Sequence, residues 1–282
     1  MLLDMIRFEH TLFALPFALI SFVLASRGAR APHIWITLGY VLLAMVGART
    51  AAMTFNRLVD AEFDRLNPRT AARHIPAGLI SRGQAWAFFT AALLLFEFAA
   101  WRLNPLCFAL SPVALAAVLG YSYTKRFSSA CHLFLGFAIG IAPIGAWLAV
   151  RGAFAVVPVL LGATVMLWIG GFDIIYSLQD YDFDVAGPLR SLPKAIGKAR
   201  ALAVSRLMHV LMIGVLAAIG VLYGLHLIYY AGLAIVAGLI VWEQSLVKPD
   251  DLRRVDLAFF TLNGWVSVSL FAFVLLDGLL PF

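Results

Sequence analysis

Runs of about 20 apolar residues recur along almost all of this 282-residue chain, and their length constrains the fold more than any other feature. A helix rising 1.5 Å per residue needs about 20 residues to cross a ~30 Å hydrocarbon layer. Inside that layer every backbone N–H and C=O has to be satisfied within the segment, as a helix does. The runs read as spans at 10–27, 34–55, 84–102, 105–121, 131–150, 154–172, 202–223, 226–242 and 257–277. Only 13% of the residues are charged, against about 25% in a soluble domain. The expected fold is all-α: a polytopic membrane protein of about nine transmembrane helices enclosing a central cavity. No linker or shift in composition divides it, so residues 1–282 are expected to form a single domain. The first run holds Pro16 and lacks a small-residue cleavage site, and is read as a retained span.

The net charge of +6 belongs to topology. Basic residues gather in alternate loops: Arg57, Arg65, Arg69, Arg73 and Arg82, then Lys125 and Arg126, then Arg190, Lys194, Lys198 and Arg200, then Lys248, Arg253 and Arg254. The opposite loops hold only Arg27, Arg30, Arg102 and Arg151. The positive-inside rule places the richer side, and the N-terminus with it, in the cytoplasm. A nucleic-acid partner is not expected, because there is no basic domain and the aromatics lie within spans. Cys107 and Cys131 have no CxxC spacing and sit in or beside apolar runs, so both read as inert thiols.

Against this background two short stretches stand out. They hold seven of the fifteen acidic residues: Asp60, Glu62 and Asp64 in one, Asp173, Asp180, Asp182 and Asp184 in the other. Asn56, Asp60 and Asp64 fall four apart, and Asp173, Asp180 and Asp184 fall seven and then four apart, so each set is expected to line one helix face. Their similarity also hints at an internal repeat, which often puts a site at the repeat interface. Carboxylates crowded on one face repel unless a cation lies between them. The donors are all oxygens, with no His or Cys in either stretch, which favours Mg²⁺ over Zn²⁺. The arginines alongside match phosphate oxygens. Together these residue types suggest an amphiphilic substrate with a diphosphate head and a hydrocarbon tail. Two rivals remain on the residues alone. One is a cation-coupled transporter, which would place carboxylates near mid-span rather than at span ends. The other is a phosphatidyl-type transferase, whose Asp-Gly and Ala-Arg motif is not found.

Asn56-x-x-x-Asp60-x-x-x-Asp64, followed by Arg69-Thr70-x-x-Arg73-x-x-Pro76-x-Gly78, resembles the first signature of the UbiA superfamily of intramembrane aromatic prenyltransferases. Asp173-x-x-Tyr176-x-x-x-Asp180-x-x-x-Asp184 resembles the second, and Tyr121-x-Tyr123-x-Lys125-Arg126 resembles the family's basic loop. Asn56-Arg57 stands where many members have Asn-Asp, and His74-Ile75 where Pro-Leu is common. With Glu9-His10-Thr11-Leu12-Phe13-Ala14-Leu15-Pro16, these features look like the 4-hydroxybenzoate polyprenyltransferase-like branch. The resemblance implies Mg²⁺-dependent ionisation of a polyprenyl diphosphate, attack by a small aromatic acceptor and loss of a ring proton, in quinone biosynthesis. The implied acceptor is 4-hydroxybenzoate, or 1,4-dihydroxy-6-naphthoate as in members of the futalosine route to menaquinone. The implied setting is a bacterial inner membrane with the site facing the cytoplasm. Carried over by position, Asn56, Asp60, Asp180 and Asp184 hold the metal and diphosphate, and Asp64 and Asp173 extend that site. Arg69, Arg73 and Lys125 hold diphosphate oxygens, Tyr176 borders the reacting centre, and Arg7 pairs with an acceptor carboxylate.

Plainer roles are expected elsewhere. Glu62 and Asp182 lie off the shared faces and should meet solvent. Topogenic charge is an alternative for Arg69, Arg73 and Lys125 and the favoured reading for Arg126. His10, His33, His74, His132, His209 and His226 show no metal spacing and read as structural or interfacial. Trp35, Trp101, Trp147 and Trp242 fit an aromatic belt. Gly136, Gly140 and Gly145 fit close helix packing. Glu97, inside the third span, has no evident partner in the sequence.

Overall fold

The computed structural model describes Met5, residues 11–28 and residues 33–279. Arg7, expected beside an acceptor carboxylate, lies outside the described residues. The long helices are α1 (Thr11–Ser26), α2 (Ile34–Val59), α4 (Arg82–Leu103), α5 (Pro105–Thr124), α6 (Cys131–Arg151), α7 (Val156–Ser177), α10 (Lys198–Leu222), α11 (Leu227–Leu246) and α12 (Asn263–Asp277). Three short helices, α3 (Ala61–Leu66), α8 (Tyr181–Ala186) and α9 (Leu192–Ile196), lie on the side of the basic loops. A 3₁₀ turn at Leu178–Asp180 joins α7 to α8, and a π-helical turn at Leu257–Leu262 leads into α12. Eight of these helical stretches are long and apolar enough to cross a membrane. The ninth expected span is α1, apolar over Ala14–Ser26 but shorter.

Local chemistry fixes the ends. Ser81 and Gln84 form a reciprocal capping box at the start of α4. Asn104 accepts from the Cys107 amide at the start of α5, with Pro105 as the first helical residue, where its missing N–H costs nothing. Gly152 closes α6 at φ +62°, a left-handed conformation that a side chain would strain.

The buried core is built from α1, α6, α7, α10, α11 and α12, with Phe17, Trp168, Met212, Tyr229, Val236 and Leu270 at its centre. Lipid tails are as apolar as leucine, so close van der Waals contact has to hold such helices together. Glycines supply it between α6 and α7. A Cβ on Gly140 would stand 2.5 Å from the Gly162 carbonyl oxygen, and one on Gly136 would collide with the Met166 carbonyl. Gly145 faces open space instead, so the packing role expected for it does not hold. Gly47 does the same work between α2 and α4, against the Phe96 backbone.

Two other expectations change. Trp35, Trp101 and Trp242 are exposed as a belt requires, but Trp147 is buried in the core and meets Tyr223 edge-on. Glu97 of α4 accepts a 2.7 Å hydrogen bond from Ser111 Oγ of α5, a polar tie between neighbouring helices.

Candidate active site

The two acidic stretches are not continuous helix faces. α2 stops at Val59 and α7 at Ser177, and in both places the chain breaks at an aspartate before a six-residue helix begins. Asp60 has φ −91° and ψ 2°, and Asp180 has φ −97° and ψ 5°. Both occupy the sparsely populated bridge region between helix and strand, where active-site residues are often found. Asp64 and Asp184 follow on α3 and α8 at the same relative position, and both are buried. The internal repeat is therefore visible in the backbone: long helix, bridge-region aspartate, short helix, second aspartate.

The two breaks face a cavity of about 700 Å³, a size that encloses most of a drug-sized ligand. α2 contributes Arg49, Met53, Asn56, Arg57 and Asp60, spaced as one helical stripe, and α7 contributes Ile169, Phe172, Asp173, Tyr176 and Ser177. Tyr121 and Lys125 close one side, and Leu135, Ile139 and Phe259 give apolar wall. Ten of the eleven expected site residues line this space: Asn56, Asp60, Asp64, Arg69, Arg73, Lys125, Asp173, Tyr176, Asp180 and Asp184.

Charge is balanced carboxylate by carboxylate. Arg69 donates through Nε to Asp180 Oδ1 at 2.8 Å and through Nη2 to Oδ2, a two-point grip. Its Nη1 donates to the Tyr176 hydroxyl at 3.1 Å, and Asn67 donates to Asp180 Oδ1 at 2.9 Å. Arg73 holds Asp64 Oδ1 at 2.6 Å. Asn56 donates to Asp60 Oδ2 at 2.9 Å, and Arg126 stands 3.7 Å from Asp60 Oδ1. Burial alone would lower the Lys125 ammonium, but Asp173, Cys131, Asp184 and Asp180 outweigh it and hold the proton on. Asp60 also moves up, which for a carboxyl favours the neutral form. Burial pushes its carboxyl above the usual range and Asp64 adds repulsion, against the pull of Lys125, Arg126 and Asn56.

The residues fit a hard divalent cation. Asp64 Oδ2 is buried and has no hydrogen-bond partner among the described residues, which is costly unless something else satisfies it. No group of three His, Cys, Asp or Glu residues forms a closed metal cage among the described residues. Mg²⁺ does not require such a cage, because it usually keeps several waters and takes substrate phosphate oxygens beside its carboxylates.

Off-face acids behave as expected. Glu62 is exposed and pairs with Arg65 at 3.1 Å and Arg82 at 2.8 Å, and Asp182 is exposed outside the cavity. Arg126, read as topogenic, also lines the cavity, donates to the Val59 carbonyl at 3.0 Å and lies over the Tyr123 ring. Residues not expected at the site are Arg49, Arg57, Asn67, Tyr121 and His132. Arg49 carried a readable signal, since a guanidinium inside a span is expensive and marks function by default. His132 is buried, with Nδ1 2.6 Å from Asp173 Oδ2. Nothing in its spacing pointed to that contact.

Comparison with known proteins bears on the family and the fold. Residues 14–265 match the model of the UbiA prenyltransferase family. The 4-hydroxybenzoate octaprenyltransferase of Alkalilimnicola ehrlichii is 32% identical over 247 residues, 87% of this chain and 83% of the relative. That of Tolumonas auensis is 31% identical over 81% of this chain and 79% of its own. An apo UbiA homolog from Aeropyrum pernix superposes with a TM-score of 0.85 at 36% identity, covering 95% of this chain and 98% of that one. A UbiA homolog from Archaeoglobus fulgidus bound to GPP and Mg²⁺ shares the fold, with a TM-score of 0.72 at 21% identity over 98% of each chain.

Proposed function

The chain belongs to the UbiA prenyltransferase family, and on that premise we propose that it transfers a polyprenyl group from polyprenyl diphosphate to a small aromatic acid such as 4-hydroxybenzoate, with Mg²⁺ as cofactor. The observation that carries this reading is the pair of bridge-region aspartates, Asp60 and Asp180, facing one cavity beside Arg69, Arg73 and Lys125. The basic loops flank that end of the bundle, which by the positive-inside rule puts the site on the cytoplasmic side, and a bacterial inner membrane is the membrane we propose.

In this reading Asn56, Asp60, Asp180 and Asp184 hold Mg²⁺, with Asp64 Oδ2 completing the acidic layer. When bound there, the cation draws charge from the departing diphosphate. Arg69, Arg73 and Lys125 hold the diphosphate oxygens, a task for which an arginine fork is shaped. Leu135, Ile139, Ile169 and Phe172 keep water from the allylic carbon. Tyr176 stacks on Phe259 with ring centroids 4.1 Å apart, presenting aromatic faces beside developing positive charge. Among the site carboxylates, Asp173 is the one that takes the ring proton. It sits two helical turns deeper than Asp180, about 10 Å along α7, and is free of the arginine grips that occupy Asp64 and Asp180.

The acceptor carboxylate needs a cation deeper than the aspartate breaks, and Arg49 provides one, about 16 Å along α2 from Asp60. A hydrogen bond to a charged group contributes about 1.5–3 kcal/mol, or about 10- to 150-fold in affinity. Arg49→Gln is therefore expected to raise KM for 4-hydroxybenzoate by about that factor, and to change the much weaker use of its methyl ester little. Equal loss for acid and ester would remove Arg49 from this role. The function itself is tested by supplying purified protein with Mg²⁺, a polyprenyl diphosphate and either 4-hydroxybenzoate or 1,4-dihydroxy-6-naphthoate. Prenylated product from one acid assigns the acceptor, and product from neither overturns the acceptor reading.

A further inference from the structure

His132 is the first-turn residue of α6, and its imidazole lies between two groups that the reaction scheme above does not connect. Its Nδ1 is 2.6 Å from Asp173 Oδ2. Its Nε2 accepts from the Leu192 backbone amide, the first N–H of α9, at 3.3 Å. An Nε2 that accepts cannot carry a hydrogen, so the ring is the Nδ1–H tautomer and donates to Asp173. The side chain is 2% exposed and that of Asp173 18%, so the imidazole is enclosed while the carboxylate still reaches the cavity. Close helix packing makes the contact possible. A Cβ on Gly170, one turn before Asp173, would stand 3.3 Å from the His132 carbonyl oxygen, so glycine there lets the start of α6 lie against α7.

We propose that His132 is a positioning residue for the reaction: it fixes the Asp173 carboxylate so that Oδ1 faces the ring carbon that loses its proton. This rests on the reading of Asp173 as the ring-proton acceptor. After the prenyl group joins the ring, the C–H bond at that carbon breaks and its electron pair restores aromaticity. The proton passes to Asp173 Oδ1 while Oδ2 keeps its hydrogen bond from His132, and it then leaves with the released diphosphate. The Leu192 amide locks the tautomer, and the Asp173–His132–Leu192 chain, with His132 enclosed at its centre, allows the carboxylate one orientation. The arrangement parallels the third member of a catalytic triad with the roles exchanged, because here the histidine orients the carboxylate.

The same contacts could serve only to staple α6 to α9, so the test needs a readout that a staple would not move. His132→Met keeps side-chain volume and removes the donor, whereas His132→Gln can still offer an N–H to Asp173. Both are assayed as the full-length protein in lipid with Mg²⁺, polyprenyl diphosphate and the accepted aromatic acid, unlabelled or deuterated at the prenylated ring carbon. A base held loosely by about 1 Å costs about 10²-fold. The Met variant is expected to lose about 10- to 100-fold in kcat with KM for the prenyl diphosphate little changed. Its ring-deuterium isotope effect should rise well above the wild-type value, because proton loss has become the slow step. The Gln variant should recover most of the rate and the wild-type isotope effect. A loss of rate with no change in isotope effect, or no loss, would overturn the assignment. If the Met variant does not fold, His132→Asn, whose shorter side chain draws the donor back from Asp173, takes its place: slower turnover with a raised isotope effect supports the proposal, and an isotope-silent loss or no loss overturns it. Failure of the wild type to prenylate any aromatic acid would count against the function, whereas an active wild type with isotope-silent variants counts against His132 alone.

Discussion

Asp180→Asn lowers prenyl transfer by at least about 10³-fold, or about 4 kcal/mol at 1.36 kcal/mol per decade, in protein that remains folded. The substitution keeps the side chain's size and removes the charge that pairs with Arg69 and that we propose holds the metal. Asp60→Asn has an effect of the same order, because Asp60 holds the equivalent backbone position in the other half. The double variant is no worse than about tenfold below the poorer single one, since residues that act as one unit are strongly non-additive. Folding can be separated from function at Asp60. Its carboxyl is pushed up in the folded state, first by burial, and the sign of that shift matters. A carboxyl with a raised folded-state pKa costs stability once the pH passes its unfolded value, whereas the usual lowered one adds it. Asp60→Asn is therefore at least as heat-stable as the wild type near neutral pH without metal, while inactive with it. Thermal melts beside turnover assays check both halves, and activity within tenfold of the wild type in either single variant would contradict the site.

Arg69→Ala raises KM for the polyprenyl diphosphate by about 30- to 100-fold and leaves KM for the aromatic acid within about threefold. In the structure the guanidinium spends its fork on Asp180 and a third N–H on Tyr176. Opposed phosphate oxygens offer the same planar pattern, and charge-assisted contacts of this kind contribute about 1.5–3 kcal/mol each. Arg69→Lys separates recognition from membrane topology. Lysine satisfies the positive-inside rule as well as arginine does but cannot make the two-point contact. Steady-state kinetics of the two variants in lipid check this. A lysine variant with wild-type KM would return Arg69 to a purely topogenic role.

Much of this was legible in the chain because a bilayer leaves so few options. The nine apolar runs became nine helices with shifts of a few residues at their ends, since backbone satisfaction in hydrocarbon forces the outcome. The four-residue spacing of Asn56, Asp60 and Asp64 singled out residues that line the cavity but misdescribed their backbone. Nothing in Val59-Asp60-Ala61 or Leu178-Gln179-Asp180 announces a helix break, with no Gly or Pro in either, so the bridge conformation emerges only from tertiary packing. The π turn at Leu257–Leu262 was hidden for the same reason. Its extra residue is accommodated by Asn263, whose amide donates to the Ala258 and Phe259 carbonyls. Arg126 looked like one more loop charge until the fold turned it toward Asp60. Trp147 sat at a span end by number and in the core by packing.

Metal, ionisation and transfer are expected to be coupled in the wild-type protein. Purified enzyme in lipid is given a polyprenyl diphosphate, the aromatic acid and Mg²⁺, and released diphosphate and prenylated acid are counted together with and without a chelator. One diphosphate is expected for each product, both stopping on chelation and both resuming when Mg²⁺ is restored. A folded sample that neither forms product nor binds the prenyl diphosphate in the presence of Mg²⁺ would contradict this coupling.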